Sequence, residues 1–125
     1  MSMQTATASS DFCATPEVIG DEVVVTLTGT GDMAAVAPLE RCLSQVRELI
    51  EARDVGAARI DISALYILNS SCIKALISFI HANAGAKRSF AVRFVVDGRL
   101  AWQARTLAVL CRMAPTLVSV VPRAS

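Results

Sequence analysis

The sequence has little of what a nucleic-acid surface or a membrane-binding surface needs. Aromatic residues make up 5% of the chain, and 12 Lys and Arg against 11 Asp and Glu leave a net charge of +1. Such a chain offers neither long-range attraction to anionic partners nor a row of aromatic rings on which bases stack. Because 54% of the residues are hydrophobic and only 18% are charged, some apolar surface is expected to serve a protein partner.

Metal sites and cofactor sites are not predicted either. The cysteines lie far apart with no Cys-x-x-Cys pair, and the only histidine is His81; the four are Cys13, Cys42, Cys72 and Cys111. Zinc sites need closely spaced Cys and His ligands. Three of the thiols fall on apolar faces of predicted helices, where a cysteine is usually a small core residue. We therefore expect a reduced, cytoplasmic protein without metal or cofactor.

Hydrolytic chemistry is also excluded by spacing. A nucleophile must lie within hydrogen-bond reach of its base, and His81 is the only imidazole. Ser70 precedes His81 by eleven residues on one predicted helix, so the helical rise separates them by ~16 Å. Cys72 is ~13 Å from His81 by the same count, and no pair of carboxylates stands out. The chain is therefore predicted not to be an enzyme.

No stretch of the sequence predicts export or membrane insertion. The N-terminus lacks the charged and apolar regions of a signal peptide, and no apolar run approaches the ~18 residues needed to span a bilayer. Residues 1–15 are rich in Ser, Thr, Ala and Gln without periodicity, which predicts a loosely ordered tail. Residues 16–125 are then expected to form one domain.

The rest of the chain alternates between β-rich and helical segments. Strands are predicted around 12–19 and at 23–28, 59–63, 90–96 and 117–121, and helices at about 36–52, 70–84 and 100–114. In a short chain, alternation of this kind favours a mixed or partly parallel sheet covered by helices. The predicted fold class is therefore α/β, with a mixed four- to five-stranded sheet covered by about three main helices.

The most informative stretch joins a strand to a helix. Up to Leu68 the chain is rich in β-forming residues, and after Ser71 the apolar residues recur at helical spacing. Asn69 is a strong N-cap candidate, which makes Ser70 and Ser71 the first helical residues. A phosphate on a hydroxyl there would lie near free backbone amides and the positive end of the helix dipole. Serine-rich helix starts commonly serve only as caps, and that interpretation stays open.

These residues resemble a known family. The resemblance covers about residues 18–121 and rests on Thr28-Gly29-Thr30-Gly31-Asp32, then Asp61-x-Ser63, then Asn69-Ser70-Ser71-Cys72 and Leu76. The pattern is similar to the STAS domain of bacterial anti-sigma-factor antagonists, whose signature reads Asp-x-Ser, a short apolar run, Asp-Ser-Ser-Gly and a Leu. Asn69 and Cys72 stand where that signature has Asp and Gly.

The resemblance implies a phosphorylation switch. In that family a partner serine kinase, which is also the anti-sigma factor, phosphorylates the first serine, so Ser70 is the implied acceptor and Ser71 the alternative. The implied partner-binding residues are Asp32, Asn69, Ser71, Cys72 and Lys74. Asp32 is equally open to interpretation as a helix-entry residue in a turn. The implied function is transcription regulation by a non-enzymatic binding module.

The family also contains other kinds of regulator. STAS-like chains serve as constitutive scaffold subunits of sensory or transport complexes. A related group of phosphorylated regulators has Asn followed by Thr or Ser and acts on a diguanylate cyclase. Both functions stay open as alternatives.

The third predicted helix carries a second apolar stripe. Its core stripe is predicted at Leu100, Ala104, Leu107, Ala108, Cys111 and Ala114. On nearly the opposite side lie Trp102, Val109 and Met113, which are unusual residues to expose to water. This stripe is either a homodimer or partner surface, or it is covered by the N-terminal tail.

Overall fold

The computed structural model describes residues 12–123. The strands are β1 (Glu17–Ile19), β2 (Glu22–Gly31), β3 (Ala57–Leu68), β4 (Ala91–Val96) and β5 (Val118–Pro122). The helices are α1 (Val36–Arg53), α2 (Ser70–Ala84) and α3 (Ala101–Met113), and a short 3-10 helix (Met33–Ala35) precedes α1. The predicted α/β class, with a five-stranded mixed sheet and three helices, is confirmed.

The strands lie side by side in chain order. β1 is antiparallel to β2, and β2, β3, β4 and β5 are parallel to one another. Each parallel step is made by one helix, and such connections are almost always right-handed. With a strand order that runs in one direction, this places all three helices on the same face of the sheet. α2 lies in the middle and packs against both α1 and α3.

The core lies between that face and the helices. It contains alternate residues of each strand, such as Val23, Val25 and Leu27 of β2, together with the inward faces of α1 and α2. Residues 12–14 add to it, because Phe12 is buried and the backbone of this segment bonds to β2. Of the predicted N-terminal tail, residues 1–11 lie outside the described residues.

β3 is two residues longer than its partner β2 because it contains two register shifts. The first lies between the Thr26–Asp61 and Thr28–Ala64 pairs. Asp61 holds this bulge, since its Oδ1 accepts from the Ser63 amide at 2.9 Å and from the Ser63 hydroxyl at 2.6 Å. The Asp-x-Ser part of the family signature therefore shapes the strand in this chain.

Two buried amide side chains connect the helices to the sheet. Gln103 of α3 is 1% exposed, and its Nε2 donates to the carbonyls of Ile62 at 2.7 Å and Leu65 at 3.1 Å. Its Oε1 accepts from the Asp97 amide at 2.9 Å. Asn83 of α2 is 0% exposed and makes two hydrogen bonds with the backbone of Phe90. Each of these side-chain amides makes hydrogen bonds with backbone groups that have no partner in the parallel strand pairing.

On the open face of the sheet, one carboxylate bridges two arginines. Glu22 of β2 accepts from Arg59 at 3.0 Å and from Arg93 at 2.6 Å. Partial burial alone would raise the pKa of Glu22, but the hydrogen bonds from Arg59 and then Arg93 outweigh it and lower that pKa. The three charges tie β2, β3 and β4 together on this face.

One expectation is corrected by the structure. The cysteines are placed as follows: the sulfurs of Cys13 and Cys42 lie next to each other, whereas Cys72 and Cys111 are free. In α3 the buried residues are Gln103, Leu107 and Leu110, and Ala104 and Ala108 of the predicted core stripe are exposed. The core face of α3 is therefore rotated from the predicted one, because it includes the buried Gln103, which the predicted apolar stripe does not contain.

Candidate functional site

The candidate site lies at the carboxyl ends of β2 and β3. Gly31 and Leu68 are paired at the last step of the register, and the Asn69 amide then donates to the Gly31 carbonyl at 2.8 Å. A side chain at Gly31 would not fit, because a Cβ there would lie 2.6 Å from Leu68 Cδ1 and 3.1 Å from the Ile67 carbonyl oxygen. Glycine is thus needed at this position for the close approach of the two strands.

Asn69 starts α2 as the sequence predicts. Its backbone is extended, its side chain accepts from the Cys72 amide at 2.9 Å, and its carbonyl accepts from the Ile73 amide at 3.0 Å. The helix begins at Ser70. Because the cap bonds the third amide, helix geometry gives the amides of Ser70 and Ser71 no acceptor within the helix. An anion at this end of α2 would find both these donors and the positive end of the dipole.

Asp32 lies beside the start of α2. It caps the short 3-10 helix, with its Oδ1 accepting from the Ala34 amide at 3.1 Å. Its carbonyl accepts from the Cys72 thiol at 3.6 Å. Burial raises the pKa of Cys72, and the negative charge of Asp32 raises it further. The loop after β2 and the first turn of α2 therefore form one continuous surface.

The predicted site residues differ in what they present to solvent. Ser70, Lys74 and Asp32 are exposed, and Asn69 and Ser71 are half-buried. Cys72 is 0% exposed, so its side chain is not available to a partner. Its inward position follows from helix geometry, since Cys72, Leu76 and Ile80 share the core face of α2.

Three exposed apolar residues at this end of the sheet were missed by the sequence analysis. They are Met33, Tyr66 and Ile67. Met33 follows Asp32 directly, and Tyr66 and Ile67 come just before the Leu68–Asn69 step. The strand was predicted to end at Ser63, so it did not include Tyr66 and Ile67. The apolar run that continues to Leu68 was the signal that this strand is longer.

The predicted second interface on α3 is only partly exposed. Val109 is 44% and Met113 38% exposed, but Trp102 is half-buried and packs against the core. The Trp102 Nε1 is buried without a hydrogen-bond partner among the described residues. Trp102, Val109 and Met113 therefore do not form one continuous exposed surface. The N-terminal tail that was the alternative cover lies largely outside the described residues.

Two further kinds of site are absent from residues 12–123. No group of three or more His, Cys, Asp or Glu side chains in this range is arranged to hold a metal ion. No helix in it has the length and apolarity to cross a membrane.

Comparison with known structures identifies the fold. The chain is similar to the crystal structure of an anti-sigma factor antagonist from Mycobacterium paratuberculosis, with a TM-score of 0.62 and 24% identity over 87% of this chain and 86% of that chain. A second match is the anti-sigma factor antagonist SpoIIAA in its unphosphorylated form, with a TM-score of 0.45 and 20% identity over 64% of this chain and 69% of that chain. No family model and no curated protein matches the chain.

The first of these similarities shows that the chain has the fold of an anti-sigma-factor antagonist. The expectation drawn from the STAS-like residues is confirmed at the level of the fold.

Proposed function

We propose that this chain is a non-enzymatic, cytoplasmic binding module that docks on a regulatory protein and is switched by phosphorylation of Ser70. The partner is a serine kinase that also acts as an anti-sigma factor, or a regulator of that type. The observation that carries the proposal is the position of Ser70: an exposed hydroxyl on the first residue of α2, next to Asp32 and one residue after a formed N-cap.

The helix start makes phosphorylation of Ser70 favourable for this chain. A phosphoserine carries about −1.5 to −2 charges. At the first turn of a helix, an anion is stabilised by about 0.3–1 kcal/mol. Because Asn69 is uncharged, it adds no carboxylate beside the phosphate, and the carboxylate of Asp32 lies in the loop that contacts the first turn of α2. The fold can therefore accept the modification without unfolding.

The same phosphate is unfavourable for a docked partner. Docking would cover Ser70 and the half-buried Ser71, and a doubly charged group there would have to lose its water. It would also add to the negative charge of Asp32 and repel any partner surface built to bind that carboxylate. The unphosphorylated chain is thus the binding form, and the phosphorylated chain is the released form.

The test uses the full chain, ATP and each purified serine kinase of the anti-sigma type from the native host. We expect one phosphate, located on Ser70 by mass spectrometry and absent from Ser70→Ala. Ser78 supplies the control, because it is an exposed serine two turns further along α2, and Ser78→Ala should be phosphorylated like the wild type. Ser70→Asp should weaken partner binding at least about tenfold, whereas Ser78→Asp should not.

Two results would remove the proposal. One is the absence of phosphate from both Ser70 and Ser71 with every kinase tested. The other is a Ser70→Asp chain that binds its partner like the wild type. A stoichiometric complex that survives both Ser70→Asp and Ser71→Asp would instead assign the chain as a constitutive scaffold subunit.

A further inference from the structure

Two cysteines from distant parts of the chain meet at the edge of the core. Cys13 lies in the segment before β1, and Cys42 lies on α1. Their sequence positions differ by 29, yet their sulfurs lie next to each other and their Cα atoms are 6.9 Å apart. The other two cysteines, Cys72 and Cys111, are free. The fold therefore brings together one particular pair of thiols.

The strand register and the core face of α1 bring the two thiols to the same place. Cys13 is opposite Leu27 of β2 in an antiparallel bridge, and residues directly opposite each other in two strands project to the same face of the sheet. Leu27 is buried on the face that carries the helices. Cys42 lies on the buried side of α1 with Leu39 and Leu43, and α1 packs against β2. The two side chains therefore converge from the sheet and from the helix that covers it.

The separation of the two backbones is within reach of a disulfide bond. The Cα atoms of bonded cysteines are usually about 4.4–6.8 Å apart, and a separation above about 7 Å excludes a bond unless the backbone moves. At 6.9 Å, Cys13 and Cys42 need at most a slight approach. The folded chain can therefore form this bond without rearrangement of the core.

The segment that carries Cys13 lies at the outer edge of the sheet. Among the described residues, its backbone makes two hydrogen bonds with β2, from the Ala14 amide to the Thr26 carbonyl at 3.0 Å and from the Thr28 amide to the Phe12 carbonyl at 2.9 Å. Local opening of such an edge costs less free energy than unfolding of the core. A covalent bond to α1 would therefore hold the segment in place where the hydrogen bonds alone allow it to open.

Packing alone does not account for the adjacency of the two thiols. Cores commonly contain cysteine as a small hydrophobic residue, and Cys72 fills that role by itself at 0% exposed. Such a role places no requirement on the distance to another cysteine. Disulfides of cytosolic proteins are usually transient, catalytic or redox-sensing. In a chain proposed to be cytoplasmic, an adjacent pair of thiols therefore fits a reversible disulfide.

We propose that Cys13 and Cys42 form a redox-sensitive clamp. They are free thiols in a reducing cytoplasm, and a disulfide bond joins them when the cell is exposed to a peroxide. The bond fastens residues 12–14 to α1 and closes a loop that contains β1 and β2. Ser70 lies outside that loop, so the clamp operates whether or not Ser70 is phosphorylated.

The reaction balances with hydrogen peroxide as the oxidant. Cys13 is 9% exposed and Cys42 3%, so Cys13 is the thiol nearer to solvent. Its thiolate attacks a peroxide oxygen and the O–O bond breaks; a sulfenic acid forms, and the released hydroxide takes up the thiol proton to give water. The Cys42 sulfur then attacks the sulfenic sulfur, the S–O bond breaks, and the second hydroxide takes the Cys42 proton. The two thiols lose two electrons, the peroxide gains them, and a cellular dithiol reverses the bond by thiol–disulfide exchange.

The test counts free thiols in the full chain before and after treatment with hydrogen peroxide. The protein is unfolded, its thiols are labelled with N-ethylmaleimide, and the labelled sites are mapped by mass spectrometry. We expect labels on all 4 cysteines before treatment and only on Cys72 and Cys111 afterwards, with Cys13 and Cys42 in one linked peptide. The melting temperature should rise by about 8–15 °C, and dithiothreitol should reverse the rise. Cys13→Ala and Cys42→Ala should each remove the rise, whereas Cys111→Ala, the matched control, should retain it.

The same labelling in the native host cell tests whether the clamp responds to the redox state. Cells are lysed in acid, which stops thiol exchange, with and without a brief exposure to peroxide. We expect the linked fraction to rise at least about fivefold on exposure and to fall again during recovery. Free thiols at both Cys13 and Cys42 after peroxide treatment would overturn the proposal. So would a bond from either cysteine to Cys72, to Cys111 or to a second chain, or a linked fraction that is the same with and without peroxide.

Discussion

The buried Gln103 side chain allows a quantitative prediction. Its amide fills a gap that opens because β4 is paired with β3 only as far as Asp61, and β3 continues to Leu68. Gln103 donates to the carbonyls of Ile62 and Leu65 in that unpaired stretch and accepts from the Asp97 amide. We predict that Gln103→Leu, which keeps the approximate volume and removes every hydrogen bond, strongly destabilises the fold.

The expected loss follows from the three backbone groups left without a partner. Each buried group that loses its hydrogen bond costs about 1–3 kcal/mol, with partial relief where water or a small shift restores a bond. Leucine adds apolar burial worth about 1 kcal/mol against this. The free energy of unfolding should therefore fall by about 2–4 kcal/mol.

Urea denaturation followed by far-UV circular dichroism measures that loss. Gln45→Leu is the matched control, because Gln45 lies on the exposed side of α1, and it should change stability by less than about 0.5 kcal/mol. Amide exchange gives a local readout, since the Asp97 amide should lose protection in Gln103→Leu. A loss below about 1 kcal/mol with Asp97 protection intact would refute the role assigned to this side chain.

Three further predictions concern the site and the sheet. Gly31→Ala should lower the free energy of unfolding, measured by urea denaturation, by about 1–3 kcal/mol, because its Cβ would meet the backbone of the neighbouring strand. Gly98→Ala is the control, because Gly98 has open space around it. Equal losses in the two variants would contradict this prediction. Asn69→Ala should cost about 0.5–2 kcal/mol through loss of the helix cap, whereas Asn69→Asp, which keeps the capping oxygen, should not, as thermal unfolding of the two variants would reveal. Glu22 has a lowered pKa in the folded state, so its ion pairs stabilise the fold at neutral pH and this contribution is lost as the pH falls below about 4. The stability difference between wild type and Glu22→Gln, about 0.5–1 kcal/mol at pH 7, should therefore vanish in acid; a difference independent of pH would contradict the pairing.

The parts of the fold set by local signals could be predicted from the sequence. The change of hydrophobic period after Leu68, together with the capping preference of Asn69, placed the start of α2 at Ser70, where the structure has it. The end of α3 before Pro115 was equally local, because proline disfavours helix in the residue before it. Segments of this kind carry their own start and stop signals.

Features that depend on a second chain segment could not be predicted in the same way. A bulge is a mismatch in count between two strands, so neither β2 nor β3 alone predicts that Tyr66 and Ile67 both face solvent. The burial of Gln103 could not be predicted from α3 alone, because the carbonyls to which it donates lie about forty positions earlier in the sequence. Trp102 and Gln103 are neighbours on α3, so a helix that buries Gln103 also brings Trp102 partly towards the core.

The most direct measurement of the central claim is the phosphorylation state of the chain in its native cell. The chain is purified from growing and from stressed cells, and its phosphorylation sites are mapped by mass spectrometry. Phosphate on Ser70, at an occupancy that changes between the two conditions while Ser78 stays unmodified, is the result predicted here. A chain that is unmodified at Ser70 and Ser71 in every condition and is still bound to its partner would contradict the account.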